Sequence, residues 1–302
     1  MGSVVTDIDA SGSGSGSGSE KPFNVLITGF APFRHEYPVN PSWEIARSLP
    51  SWLPPLRAKS TATSSPNAPA PVPIPPVRLL VHPAPIRVNY KTVRALVPRL
   101  WDGDGSDGSG ERPEIDLAIH IGMAGPRMFY SIERRGHRDG YKLEDVDGEF
   151  LEDRPEEEEE EDQDGNDDEK DDDGGEQEGG DGKERKPKKK KWIWAGLPKE
   201  LLSDLDVEDV LRRWRRLSPK HMDLRISEDA GRYLCDFIYF SSLAHLYKAG
   251  RRRNVLFLHV PSDASEHSIE VGRELVLQLV RAMVESEVER RRREREGAEL
   301  KG

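Results

Sequence analysis

Short apolar runs alternate along the chain with longer amphipathic stretches. The runs predict strands at 24–29, 77–82, 115–122, 127–134, 223–227 and 254–260. Helical spacing predicts helices at 40–49, 88–101, 206–216, 232–249 and 266–295, the first opened by Asn40 as N-cap before Pro41. Strands that alternate with helices favour a mostly parallel sheet covered on both faces. The pattern predicts a single α/β domain.

Four segments interrupt this pattern with few large apolar side chains. They are a Gly/Ser-rich tail at 1–21, a Pro-rich stretch at 50–76, a Gly/Asp-rich loop at 102–113 and an acidic-then-basic run at 152–191. Like-charge repulsion and the shortage of apolar side chains prevent the last segment from forming a core. We expect a disordered tail followed by one domain at 22–298 that carries the other three segments as insertions.

The net charge of −11 arises from the fourth segment. Residues 152–184 hold 20 acidic and 3 basic residues, and 185–191 add 6 basic residues, which leaves 36 of each sign elsewhere. A basic nucleic-acid-binding face is therefore not indicated. A single cysteine excludes an internal disulfide framework and a Cys-rich zinc site. No apolar run reaches membrane-spanning length and no signal peptide is apparent, so we expect a cytoplasmic protein. We also expect a monomer.

Three residues could form a nucleophilic site. Cys235 lies where a predicted strand leads into a helix, and the helix start favours a thiolate. His259 ends the last predicted strand, and Glu133 lies at the end of another. A cysteine nucleophile needs a base, and the base needs a group that orients it. Each residue also has an ordinary alternative: a buried small hydrophobe, a structural histidine or a surface ion-pair member.

Six segments together resemble the pyroglutamyl-peptidase I family of cysteine peptidases, in its eukaryotic form. They are TGFAPF (28–33), VNPSW (39–43), IHIGMAG (119–125), ERRGHRDGYK (133–142), ISEDAGRYLCDFIYF (226–240) and FLHVP (257–261). They follow the order of the family and span about residues 24–285.

The resemblance implies a three-layer α/β/α sandwich and hydrolysis of the bond after an N-terminal pyroglutamyl residue of peptides, without metal or cofactor. It implies Cys235 as nucleophile, His259 as base and Glu133 as the orienting carboxylate. Phe30 and Phe33 match the aromatic residues that line the pyroglutamyl pocket.

Two positions depart from the family pattern. Met123 replaces a glutamine of bacterial members, so that a contact with substrate at this position would come from the backbone. Arg34 replaces a glycine near the expected pocket entrance. Both changes bear on peptide preference more than on the type of reaction.

Other functions have weaker support in the sequence. The glycine-rich segment at 103–110 lacks the spacing of a phosphate-binding loop, and the acidic run lacks the ligand order of a calcium loop. The lysine-rich run at 183–191 favours a solvated linker, with a nuclear address as the alternative. The main rival is a non-catalytic binding protein that recruits partners through the charged insert.

Overall fold

The structure is a computed structural model that describes residues 21–56, 73–103, 113–125, 127–153 and 192–300. The predicted tail and most of the three predicted insertions lie outside the described residues.

The elements follow one another in the predicted order. The strands are β1 (Phe23–Gly29), β2 (Val77–Val81), β3 (Leu117–Met123), β4 (Tyr130–Glu133), β5 (Arg135–His137), β6 (Glu200–Leu202), β7 (Leu224–Ser227) and β8 (Val255–Val260). The helices are α1 (Pro41–Arg47), α2 (Tyr90–Asp102), α3 (Val207–Leu217), α4 (Leu234–Lys248) and α5 (Glu266–Glu299). Pro98 does not end α2, which continues to Asp102.

Six strands form one sheet in the order β2-β1-β3-β8-β4-β7. All neighbouring pairs are parallel except β4 and β8, which run antiparallel. The short strands β5 and β6 form a separate antiparallel pair that the sequence pattern does not predict. Each of these strands has three residues, too few to show an alternating pattern, and the paired residues lie 63 to 67 positions apart along the chain.

Alternating side chains of the central strands belong to two cores. Ile119, Ile121 and Leu258 pack with α1, α3 and α5, whereas Ala118 and Phe257 pack with α2 and α4. Helices therefore cover both faces of the sheet, and the predicted α/β fold with three layers is confirmed. The described residues contain no helix long and apolar enough to cross a membrane.

Candidate active site

The candidate nucleophile lies at the start of α4. Cys235 is the second residue of this helix and is partly accessible. The turn before it depends on Gly231, whose φ of 85° suits glycine and whose N–H donates to Asp229 Oδ1 at 2.9 Å. Tyr233 occupies the N-cap position without capping the helix through its side chain. The first-turn N–H groups of α4 therefore receive no side-chain cap from Tyr233.

A glycine in β3 makes room for the thiol. A Cβ atom on Gly122 would lie 2.8 Å from Cys235 Sγ and 2.5 Å from Phe257 Cζ, both closer than real Cβ contacts. Gly122 is paired in register with His259 of β8. Because parallel neighbours in register share a face, His259 lies on the side of the sheet that meets α4.

His259 and Glu133 form a hydrogen-bonded pair. The distance from His259 Nδ1 to Glu133 Oε1 is 2.7 Å, and both side chains are buried. Glu133 lies opposite Phe257 in the antiparallel pairing of β4 with β8, two residues from His259 on the same face. The carboxylate therefore orients the imidazole through Nδ1, so that Nε2 is turned away from Glu133.

Two further groups hold the same carboxylate oxygen. Ser131 Oγ donates to Glu133 Oε1 at 3.2 Å, and Arg127 Nη1 lies 3.4 Å from it. The other oxygen, Oε2, is buried and has no hydrogen-bond partner among the described residues. Glu133 therefore contacts His259, Ser131 and Arg127 through the same oxygen, Oε1.

The thiol is protonated in this arrangement. Burial raises the pKa of Cys235 to about 12, the negative charges of Glu133 and Asp236 act in the same direction, and Arg127 opposes them. No hydrogen bond joins the Cys235 thiol to His259. The helix start favours the thiolate, whereas desolvation of the charged form opposes it.

The TGFAPF and VNPSW segments meet beside this site. The N-cap Asn40 donates through Nδ2 to the carbonyl of Ala31 at 3.0 Å, and Ser42 Oγ accepts from Phe30 N–H at 3.0 Å. A Cβ on Gly29 would lie 2.6 Å from the carbonyl oxygen of Ser42, so β1 can approach α1 this closely only with glycine. The start of α1 therefore fixes the segment that carries Phe30 and Phe33.

The three residues predicted to contact substrate differ in exposure. Phe30 is 2% exposed and packs in the core between the sheet, α2 and α4. Phe33 is half-buried against Tyr233, with ring centroids 6.1 Å apart. The rings of Phe33 and Tyr233 line a groove of about 660 Å³ together with Arg34, Val146, Phe150 and neighbouring loop residues. Met123 is buried at the end of β3.

Three known proteins align with most of the chain. Pyroglutamyl-peptidase 1 from Rattus norvegicus is 28% identical over 252 residues, which cover 83% of this chain and 85% of the relative. The human protein of the same name is 27% identical over the same length. The pyrrolidone-carboxylate peptidase of Pyrococcus furiosus is 24% identical over 250 residues, 82% of this chain and 86% of the relative. Over most of its length the chain is similar to the pyroglutamyl-peptidase I family. No family model matches it.

Solved structures of the family have the same fold. A variant of pyrrolidone carboxyl peptidase from P. furiosus superimposes with a TM-score of 0.55 at 20% identity, covering 87% of this chain and 99% of that one. Pyroglutamyl peptidase I from Bacillus amyloliquefaciens gives a TM-score of 0.53 at 19% identity, covering 87% and 96%.

Sequence reasoning did not single out Gly122, Arg127, Ser131 or Asp236. A glycine inside an otherwise apolar strand indicates that another group approaches the strand closely, so Gly122 could have been identified from the sequence. No sequence pattern identifies Arg127 or Ser131, because their closeness to Glu133 depends on the β3–β4 connection. Among the described residues, no group of three or more His, Cys, Asp and Glu side chains is arranged to hold a metal ion.

Proposed function

We propose that this chain is a cysteine peptidase that hydrolyses the bond after an N-terminal pyroglutamyl residue. The observation that carries the proposal is the buried His259–Glu133 pair, 2.7 Å apart, on the sheet face that meets the helix start of Cys235. The relatives named pyroglutamyl-peptidase 1 support the substrate, since they align with 83% of the chain. The non-catalytic alternative is not favoured.

His259 acts first as a general base. Because burial raises the pKa of Cys235 to about 12, the thiol needs a base to become nucleophilic near neutral pH. Nδ1 of His259 is held by Glu133, so Nε2 accepts the thiol proton. The carboxylate then stabilises the imidazolium. Arg127, which lowers the pKa of Cys235, stabilises the thiolate as it forms.

The thiolate attacks the pyroglutamyl carbonyl carbon and forms a tetrahedral intermediate. Backbone N–H groups in the first turn of α4 are the proposed donors to its oxyanion, because Tyr233 leaves them without a side-chain cap. The imidazolium gives its proton to the leaving amine, and the C–N bond breaks. Water, deprotonated by His259, then hydrolyses the thioester and restores the thiol.

Recognition of the ring involves Phe33 and the backbone near Met123, with Phe30 supporting Phe33 from the core. A pyroglutamyl ring is flat and neutral, whereas an ordinary N-terminus carries an ammonium that would lose its hydration in such a pocket. Hydrogen bonds to the lactam N–H and C=O complete the selection. The proposal includes a cytoplasmic monomer that works without a cofactor or metal.

The test is hydrolysis of a fluorogenic pyroglutamyl amide before and after alkylation with iodoacetamide. We expect turnover by the untreated protein and its loss in proportion to modification, because Cys235 is the single cysteine of the chain. Full activity after complete alkylation would reject a cysteine mechanism, and no turnover by folded protein would reject the substrate.

A further inference from the structure

A second buried carboxylate lies directly after the nucleophile. Asp236 is fully buried in the first turn of α4. Its oxygens accept hydrogen bonds from the backbone N–H and from Nδ1 of His137, each at 3.2 Å, and one of them lies 2.7 Å from Tyr141 OH, which also lies 2.5 Å from the carbonyl oxygen of His137. The catalytic steps proposed above use none of these three residues.

The carboxylate of Asp236 does not cap its own helix. An acid at the third helical position commonly turns back to the N–H of the N-cap residue. Here both oxygens face the segment 137–141, which begins at the last residue of β5. The start of α4, with no side-chain cap from Tyr233, keeps first-turn N–H groups for an oxyanion.

The segment that Asp236 binds is tightly fitted to α4. A Cβ on Gly136 would lie 3.0 Å from the backbone of Phe240, closer than most real Cβ contacts, so β5 packs tightly against the helix. Tyr141 packs edge-on against Phe237 at 5.2 Å. Gly140, with φ of 94°, turns the chain back so that Tyr141 reaches Asp236. The contact ties α4 to the chain that continues directly from Glu133 through β5.

We propose that Asp236 is a positioning residue for this reaction: through His137 and Tyr141 it fixes the first turn of α4, and with it Cys235, relative to Gly122 and the Glu133–His259 pair. Its negative charge, on the residue next to Cys235 in the chain, also disfavours the thiolate. The inference rests on the proposed function for its effect on turnover, whereas its effect on the thiol does not depend on any substrate.

The charges around the thiol determine the direction in which the pKa of Cys235 changes when one of them is removed. Glu133 from β4 and Asp236 from α4 raise the pKa of Cys235, Arg127 from the β3–β4 connection lowers it, and His259 approaches from β8. His137, Tyr141 and Arg232 face Asp236, and burial raises the pKa of its carboxyl group against their effect. Removing the charge of Asp236 therefore makes the thiol more acidic.

The test combines kinetics with alkylation in the variant Asp236→Asn. The rate of reaction with iodoacetamide, measured from pH 7 to 10, reports on Cys235 alone because the chain has one cysteine. We expect the profile to move to lower pH by about half a unit or more, which is roughly threefold faster alkylation at a given pH. Turnover should change in the opposite sense, with kcat about 10- to 100-fold lower and KM little changed.

Asp209→Asn is the matched control. Asp209 also occupies the third position of a helix, α3, and binds Arg213 at 2.7 Å, but it lies on the other face of the sheet. This variant should lose stability while keeping the alkylation profile and kcat of the wild type. Thermal unfolding of each variant establishes that it is folded.

Tyr141→Phe covers the case in which Asp236→Asn does not fold. It removes one donor to Asp236 and keeps the charge, so kcat should fall at least about fivefold without a shift of the alkylation profile to lower pH. Wild-type kcat in folded Asp236→Asn, or in Tyr141→Phe, would overturn the positioning role. An unmoved alkylation profile in Asp236→Asn would overturn the electrostatic role. If the wild type hydrolysed no pyroglutamyl amide, the proposed function would fail, and the alkylation comparison would still decide the effect of Asp236 on Cys235.

Discussion

His259 Nδ1 lies 2.7 Å from Glu133 Oε1, although the two residues are 126 positions apart. The antiparallel pairing of β4 with β8 brings them together, in a sheet whose other pairs are parallel. In this register Glu133 lies opposite Phe257, two residues from His259 on the same face of the sheet, and Ser131 lies opposite His259. The pairing of β4 with β8 is therefore the feature of the fold that joins base and carboxylate.

Glu133→Gln tests this pair. The amide can still accept from Nδ1, but the charge that stabilises the imidazolium is lost, so we expect kcat to fall about 100-fold or more with little change in KM. Steady-state kinetics with a pyroglutamyl amide measure both constants. Glu208→Gln, which removes an exposed carboxylate bound to Arg134, is the control. A kcat within about twofold of the wild type in Glu133→Gln would remove Glu133 from the mechanism.

The pH dependence of alkylation tests the state of the thiol. Burial raises the pKa of Cys235 to about 12, so the thiolate fraction of the free protein is small at neutral pH and grows with every unit. The rate of reaction with iodoacetamide should rise about tenfold per pH unit from pH 7 to 10 without levelling off. A plateau below pH 8 would mean that a thiolate–imidazolium pair already exists before substrate binds.

Gly122→Ala tests the space for the sulfur. The added methyl group would lie 2.8 Å from Cys235 Sγ, so the thiol or Phe257 must move. We expect kcat to fall at least about tenfold and the free energy of unfolding to fall by about 1–3 kcal/mol. Gly297→Ala, at a helical position with no neighbour within 4 Å, should leave kcat unchanged and should not lower the free energy of unfolding, because alanine favours the helix. Wild-type kinetics in Gly122→Ala would show that the position of the sulfur tolerates displacement.

Deletion of residues 154–191 tests the predicted organisation of the chain. Asp153 Oδ2 accepts from Ile193 N–H at 3.3 Å, so the ends to be joined already meet, and a bridge of about four Gly/Ser residues can connect them. Closure of a shorter loop costs less entropy. We expect kcat/KM within about twofold of the wild type and a Tm within about 3 °C. A collapse of Tm would show that the segment packs against the domain.

Selectivity for the lactam tests the pocket. Prolyl and glutaminyl amides should be cleaved at least about 100-fold less efficiently than the pyroglutamyl amide, because each lacks part of the hydrogen-bonding pattern of the ring. Phe33→Ala should raise KM more than it lowers kcat. Phe30→Ala should also destabilise the protein, since Phe30 is 2% exposed within the core. Comparable efficiency with prolyl and pyroglutamyl amides would contradict the assignment of these rings.

The sequence predicted the fold where the local pattern was strong. Apolar runs located the six strands of the main sheet, and Asn40 before Pro41 located the start of α1. The direction of β4 could not be predicted, because strand patterns carry no information on which neighbour a strand joins. The pair of β5 and β6 is too short to show a period and is separated by the charged insert.

For the site, position along strands and helices identified Cys235, His259 and Glu133 as candidates. The raised pKa of the Cys235 thiol could not be predicted, since it depends on desolvation and on the charges of Glu133 and Asp236, which the fold brings to the sulfur. The contacts of Asp236 could not be predicted from the sequence either, because its partners lie 95 and 99 positions away along the chain.

The central claim is that Cys235 becomes acylated by the pyroglutamyl group. The most direct measurement is mass spectrometry of protein quenched in acid during turnover of a pyroglutamyl amide, followed by digestion and mapping of the modified residue. We predict one pyroglutamyl group, as a thioester on the peptide that contains Cys235, and neither adduct nor turnover in Cys235→Ala. Turnover by purified, folded Cys235→Ala, or an acyl group on any other residue, would contradict the account.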